Sequence, residues 1–250
     1  MKITIITLFP AMIRGFFEES IIKRAVDAGH VVIEVVNLRD YATDERGTVD
    51  DRPYGGGAGM VLKVDVINRA LDELKNKDSK VILTSARGKV FNQKKAQELS
   101  SLDHIVLIAG HYEGVDERVY DYIDEEISIG DFVLTGGEIA AAAIADSVVR
   151  LIPGVLKKED ATANESFFEF DIDELISIIG EHKSLASLKK QGVKKVQLLE
   201  YPHYTRPEEY AGAKVPSVLK SGDFKKIYEW KVQRAFEETL KKRPDLLLVD

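Results

Sequence analysis

Three glycine-marked stretches have the composition to wrap a small ligand. They are Ser85-Ala86-Arg87-Gly88, Gly110-His111-Tyr112-Glu113-Gly114 and Ile129-Gly130-Asp131-Phe132-Val133-Leu134-Thr135-Gly136-Gly137-Glu138. Glycine lets the backbone approach a ligand and offer its N–H and C=O groups. Each stretch follows or overlaps a β-rich run, and open parallel sheets bind ligands just beyond the carboxyl ends of their strands. Taken singly, each could be no more than a tight turn. Taken together, they outline a pocket for a molecule the size of adenine and ribose.

A second set of residues could do proton or charge chemistry. Asp146 and Arg150 stand one helical turn apart, on one face of an otherwise apolar segment. Glu165-Ser166-Phe167 places a carboxylate after a polar stretch, and Tyr201-Pro202-His203-Tyr204-Thr205-Arg206-Pro207 combines aromatics, a cation and two of the chain's prolines. Proline-restrained aromatics beside arginine suit stacking on bases or holding phosphate, and they equally suit a structural turn.

Other familiar chemistries find no support. The glycine-rich Asp50–Gly59 is not followed by Gly-Lys-Ser/Thr, so it is not a phosphate loop. The five histidines (His30, His104, His111, His182, His203) show no paired metal spacing, and each reads as a structural residue. No serine sits in a GxSxG elbow. With no cysteine, disulfides, thiolate catalysis and cysteine-ligated metals are excluded.

The elements that must position these residues alternate along the first 160 or so positions. Strands are expected at Lys2–Phe9, Val31–Asn37, Lys80–Ser85, His104–Ala109 and Ile127–Leu134, most of them near-continuous Val, Ile and Leu. Such runs suit strands covered on both faces. Amphipathic stretches lie between them at Pro10–Ala28, Val64–Lys77, Asn92–Ser100, Val115–Tyr122 and Gly136–Arg150. The fold class is therefore α/β, a parallel sheet with helices on both faces. Pro10 suits a helix start and Gly29 a helix stop. Beyond Pro153-Gly154 the polar run Lys157–Asn164 reads as a linker, Asp171–Gly180 and His182–Lys190 as short helices, and Glu208–Arg243 as a second helical region whose longest element is Phe224–Lys242.

Two hundred and fifty residues, 44% hydrophobic and 31% charged, suit one large domain or two modest ones. No apolar run approaches the roughly 20 residues that cross a bilayer. The amino terminus lacks the pattern of a secretory signal, and a cytoplasmic protein is the expectation. The net charge of −7 is unevenly spread: Lys183–Arg243 holds 15 basic and 7 acidic residues, leaving −15 on the rest. That basic quarter could bind nucleic acid, or its lysines could simply decorate exposed helix faces.

Several of these stretches also carry a family resemblance. Thr7-Leu8-Phe9-Pro10, Thr48–Gly57, Gly110–Arg118, Ser128–Glu138, Ile152-Pro153-Gly154-Val155-Leu156 and Pro202–Pro207 extend in order across nearly the whole chain. Together they resemble the bacterial tRNA (guanine-N1)-methyltransferases of the SPOUT trefoil-knot class. The resemblance implies a knot near the carboxyl end of the first domain (1–156), an interdomain linker with an insertion (157–200) and a smaller helical tRNA-binding domain (201–250). It implies S-adenosylmethionine as methyl donor, held by Leu83, Thr84, Ser85, Gly110, Glu113, Ile129, Gly130, Asp131, Phe132, Val133, Leu134, Gly136 and Gly137. It implies tRNA contacts at Asp50, Arg52, His203, Tyr204 and Arg206, and a homodimer with its site at the subunit interface. The implied target is the guanine immediately 3′ of the anticodon, position 37 of the tRNA. Magnesium supports activity in the family, although the sequence shows no dedicated metal site.

The implied chemistry explains the charged residues. Guanine N1 carries a proton and becomes a good nucleophile only as that proton leaves, so a carboxylate must accept it; the family's base maps onto Glu165. Negative charge then builds on O6, where Arg150 would stabilise it. Three departures stand out: Glu165 replaces the commoner Asp, His111 replaces a frequent Arg, and 36 residues separate Glu165 from Pro202. The excess, Phe168–Gln197, carries Lys183, Lys189, Lys190, Lys194 and Lys195; it is expected either as extra helical structure beside the tRNA or as an elongated linker. Two other functions share parts of this pattern: a knotted methylase acting on ribose or rRNA, and an RNA-binding module that has lost catalysis.

Overall fold

A computed structural model describes residues 1–156 and 165–247. The chain divides into two compact units, Met1–Lys157 and Lys158–Asp250. The polar linker expected at Lys157–Asn164 lies outside the described residues.

In the first unit the elements run β1 (Lys2–Thr7), α1 (Pro10–Arg14), α2 (Ser20–Asp27), β2 (Val32–Asn37), β3 (Asp50–Asp51), β4 (Val61–Leu62), α3 (Val64–Leu74), β5 (Ser79–Val90), α4 (Gln93–Ser100), β6 (His104–Ala109), β7 (Glu125–Ser128) and α5 (Glu138–Val149). Five strands form one sheet in the order β2-β1-β6-β5-β7, and every pairing in it is parallel. Alternate residues of β1, β5 and β6 feed two separate cores. Ile3, Ile5, Ile82, Ile105, Leu107 and Ile127 meet Ala141, Ile144, Ala145 and Val148 of α5 on one face. Ile6, Val81, Leu83, Val106 and Ile108 meet Val66, Ile67, Ala70 and Leu71 of α3 on the other. This is why the strands read as continuous apolar runs rather than alternating ones.

His104, within the fully buried β6, is satisfied on both ring nitrogens, by Thr4 Oγ1 at 3.0 Å and Ser79 Oγ at 2.7 Å. Burial, and behind it the nearby Lys2 ammonium, lower its pKa.

Three expected elements take a different form. The strand expected at Ile127–Leu134 ends at Ser128. The Ser128 hydroxyl donates to the Gly130 carbonyl and accepts from the Gly130 N–H, and Gly130, at φ +151°, turns the chain off the sheet. The helix expected at Pro10–Ala28 breaks into α1, a 3-10 turn and α2, because Glu19 is extended and Ser20 has φ +54°. The helix expected at Val115–Tyr122 is a 3-10 turn, Glu117–Tyr122, capped by the Asp116 carboxylate.

β5 is longer than expected and bends around β7, so that Thr84 and Lys89 both face Ile127. Gly88 makes that bend possible: a Cβ there would lie 2.6 Å from backbone atoms of Glu126 and Ile127.

The second unit is built from β8 (Phe168–Asp171), α6 (Ile172–Ile179), α7 (Lys183–Lys190), β9 (Lys195–Leu198), β10 (Glu209–Tyr210), β11 (Ala213–Lys214) and α8 (Phe224–Lys242). β8 and β9 pair antiparallel, from Phe168 opposite Leu198 to Asp171 opposite Lys195. The side chains of Asp171, His182 and Asp223 cap α6, α7 and α8 by accepting from backbone N–H groups in the first turn. Phe170, Leu175, Leu185, Leu188, Val196 and Leu198 form one core with Val232, Ala235 and Phe236 of α8. Residues 168–197, read from sequence as an insertion within a linker, are thus folded into the second unit. The helical region expected from Glu208 begins instead as the β10–β11 hairpin.

Candidate active site

The carboxyl ends of β5, β6 and β7 converge on a cavity of about 340 Å³ in the first unit. Its wall takes Leu83, Thr84 and Ser85 from β5, Gly110 and Glu113 from the turn after β6, and Ile129, Gly130, Phe132, Val133, Leu134, Gly136 and Gly137 from the segment after β7. The structure therefore brings together every residue expected at the donor pocket except Asp131, which is exposed and does not line the cavity.

Backbone contacts hold the turns of this wall together. The Gly137 N–H donates to the Gly110 carbonyl at 2.6 Å. A Cβ on Gly137 would fall 2.1 Å from Thr84 Oγ1 and 2.8 Å from the Gly110 nitrogen, so only glycine lets these turns close on one another.

Arg87, His111 and Tyr112, from the glycine-marked stretches read as outlining a pocket, also line the cavity, as does Tyr120, which the sequence reading gave no site role. The Arg87 guanidinium reaches Glu117 at 3.4 Å and lies 5.1 Å from the Tyr120 ring centroid. The Tyr120 hydroxyl donates to Glu126, and burial together with that carboxylate pushes its pKa up to about 12. The phenol thus stays protonated at neutral pH. A fifth residue, Glu138, stands behind the wall with Thr7 and His111. The Gly-Gly-Glu sequence opening α5 was the visible signal for it.

The glycine-rich loop also reaches the site. Gly59 lies against the Glu113 side chain, where a Cβ would come within 2.5 Å of Oε1, and the Glu113 N–H donates to the Met60 carbonyl at 3.0 Å. Asp50, on β3, is half-buried and Arg52 is exposed; neither lines the cavity. Arg150 follows the last turn of α5, half-buried like Asp146, and Glu165 is a half-buried residue of the second unit. Neither Arg150 nor Glu165 is part of the cavity wall.

In the second unit, Tyr201, His203 and Lys231 form one aromatic and cationic group, and Tyr204, Trp230 and Arg234 a second. The Tyr201 and His203 rings are 4.7 Å apart and the Tyr204 and Trp230 rings 6.3 Å apart. Lys231 Nζ sits 4.7 Å from the Tyr201 centroid, and the Arg234 guanidinium 5.8 Å from that of Trp230. Arg206 is exposed. Among the described residues no group of three or more His, Asp or Glu is placed to hold a metal ion, and no helix is long and apolar enough to cross a membrane.

The profile of the family described as "tRNA (Guanine-1)-methyltransferase TrmD" matches residues 1–249. The chain belongs to this family. It is 49% identical over 247 residues to the tRNA (guanine-N(1)-)-methyltransferase of Dictyoglomus turgidum, covering 99% of this chain and 90% of that protein. It is 47% identical over 250 residues to the protein of the same name from Carboxydothermus hydrogenoformans, covering 100% of this chain and 88% of that protein. For the Mycoplasmopsis synoviae protein of that name the identity is 47% over 247 residues, covering 99% of this chain and 97% of that protein. The TrmD family match thus extends over both compact units.

Proposed function

We propose that this family member methylates N1 of the guanine immediately 3′ of the anticodon in tRNA, with S-adenosylmethionine as donor. The observation that carries the reading is the cavity where three glycine-marked turns converge at the strand ends. Its volume lies within the usual range for small-molecule sites. Leu83, Ile129 and Leu134 offer an apolar wall for an adenine, the glycine turns offer backbone N–H and C=O groups, and Glu113 offers a carboxylate to a cationic ligand. When bound, the donor supplies an electrophilic methyl group.

The chain's own residues then have defined tasks. The Glu165 carboxylate accepts the proton of guanine N1, and the Arg150 guanidinium donates to O6 as charge develops there. Fixing the two reactants in line lowers the barrier further. Magnesium is assigned no step.

The tRNA is gripped by the surface around His203, Tyr204 and Arg206. Lys183, Lys190 and Lys194 add to it, being exposed and without a carboxylate partner among the described residues. Exposed Phe132, Val133 (86%) and Ile139 near the cavity support a homodimer that covers them. The bend of β5 around Ile127 and the return of the chain at Gly137 support the trefoil thread. Together with tRNA as partner, these features fit a cytoplasmic enzyme.

The test is transfer from labelled S-adenosylmethionine to two tRNA transcripts, with guanine or adenine 3′ of the anticodon, by wild type and Glu165→Ala. Transfer to the guanine transcript alone, reduced about 10²- to 10⁴-fold in the variant, is expected. Equal transfer to both transcripts would refute the target, and a fully active variant would refute the base.

A further inference from the structure

Glu138 is only 1% exposed, yet it opens a helix beside the cavity rather than lying deep in a core. One carboxylate oxygen, Oε1, accepts a hydrogen bond from the Thr7 hydroxyl at 2.8 Å, and that hydroxyl in turn accepts from the Phe9 N–H at 2.9 Å. The other oxygen, Oε2, is buried and has no hydrogen-bond partner among the described residues. It faces His111 Nδ1 at 3.6 Å, and that nitrogen is likewise buried without a partner. Two buried polar atoms of opposite preference thus stand just beyond bonding distance, with no room between them. A Cβ on Gly136 would fall 2.2 Å from Oε2 and 2.3 Å from Nδ1.

An unpaired buried carboxylate oxygen is costly, and burial in a low-dielectric setting makes its pairing strong. The first turn of the 12-residue α5 supplies a favourable helix dipole for the charge but leaves Oε2 without a proton donor. The rings flanking His111 are that of Phe9, 4.8 Å away beyond the end of β1, and that of its chain neighbour Tyr112 at the same distance. Glu138 is the charged group that faces the His111 ring among the described residues.

The three segments meeting at Glu138 are the end of β1, the turn that begins at Gly110 and the turn that ends at Gly137. Both turns line the cavity, and His111 and Gly136 bridge them directly.

We propose that Glu138 is a positioning residue for donor binding, holding the two glycine turns in register through Thr7 and a His111 bond that closes when the cavity fills. This inference rests on the donor reading given above. It predicts that the carboxylate acts on donor affinity through His111 and leaves the RNA-gripping surface alone.

The experiment is calorimetric titration of S-adenosylmethionine, with tRNA affinity measured in parallel, for wild type, Glu138→Leu, Glu138→Gln, Thr7→Val and His111→Leu. Loss of one charged hydrogen bond predicts a donor Kd roughly 10- to 100-fold weaker in Glu138→Leu. The tRNA Kd should change less than about twofold, and the steady-state loss should fall on the donor KM rather than on kcat at saturation. Glu138→Gln should recover most of the affinity, because an amide can accept from Thr7 and pair with either histidine tautomer. Should Glu138→Leu fail to fold, Thr7→Val and His111→Leu carry the test and must weaken the donor in the same direction. Folded variants that bind the donor as wild type does would overturn the proposal, as would equal loss of donor and tRNA. If wild type itself does not bind S-adenosylmethionine, the donor reading fails instead.

Discussion

The turns around the first unit's cavity are closed by glycines whose missing Cβ atoms let one turn lie against the next. The candidate RNA surface of the second unit is made of side chains, Tyr201, Tyr204, Trp230, Lys231 and Arg234, on a helix and a proline-flanked loop. A small ligand of fixed shape rewards the first design, since backbone groups held by a sheet are pre-organised and lose little entropy on binding. A flexible anionic polymer rewards the second, since side-chain rings and cations can follow unstacked bases and phosphates. The cavity should therefore tolerate almost no added volume, while the surface should lose affinity in graded steps.

Gly137→Val gives the sharpest contrast. With Thr84 Oγ1 and the Gly110 nitrogen inside 2.8 Å of the new Cβ position, donor affinity should fall roughly 100-fold, about 3 kcal/mol. Calorimetry checks this, and tRNA affinity should be nearly unchanged. Wild-type donor binding would show that the cavity is as forgiving as the surface.

Tyr204→Ala should come next. Tyr204 is 49% exposed, and losing one stacking ring should weaken tRNA by about 1–3 kcal/mol with the donor Kd unaffected, as filter binding and calorimetry would show. A smaller effect is expected from replacing Lys183, Lys190 and Lys194 together with Gln. The slope of log affinity against log salt should become shallower by up to about two to three units of phosphate contact. An unchanged slope would remove these lysines from the RNA surface. Deleting residues 168–197 is a poor substitute, because it would remove half of the second unit's core.

The smallest effect concerns pH. Tyr120 in the first unit and Tyr228 in the second both have pKa values pushed up to about 12, by burial first and then by hydrogen bonds to Glu126 and Glu174. Folding therefore favours the protonated phenols. The stability they contribute is complete below the unfolded tyrosine value of about 10 and is lost as pH rises from about 10 to 12. Denaturation midpoints at both ends of that window should show a drop that is smaller in Tyr120→Phe and in Tyr228→Phe. His104 acts at the acid end. Its lowered pKa means that stability present above the ordinary histidine value of about 6.5 falls as pH drops below it.

The sheet was legible because its strands are short, apolar on both faces and separated by helix boundaries such as Pro10 and Gly29. The cavity was legible because glycines mark the places where chain meets chain. Features set by distant partners were not. Gly130 looks like any residue of an apolar run until Ser128 folds back on it. The bend of β5 depends on Ile127, some forty residues later in the chain. Residues 168–197 complete their core with α8, which follows them by a further stretch of loop and hairpin. Glu138 finds Thr7 across 131 positions, a separation that no local pattern records.

The measurement that bears most directly on the central claim is nucleoside analysis of the methylated product. A tRNA transcript with guanine 3′ of the anticodon would be incubated with the protein and S-adenosylmethionine, digested to nucleosides and resolved by liquid chromatography and mass spectrometry. The account predicts 1-methylguanosine as the sole new nucleoside, arising from that position. A 2′-O-methylated nucleoside, or a methyl on another base, would contradict it and reassign the cavity to a different methyl acceptor.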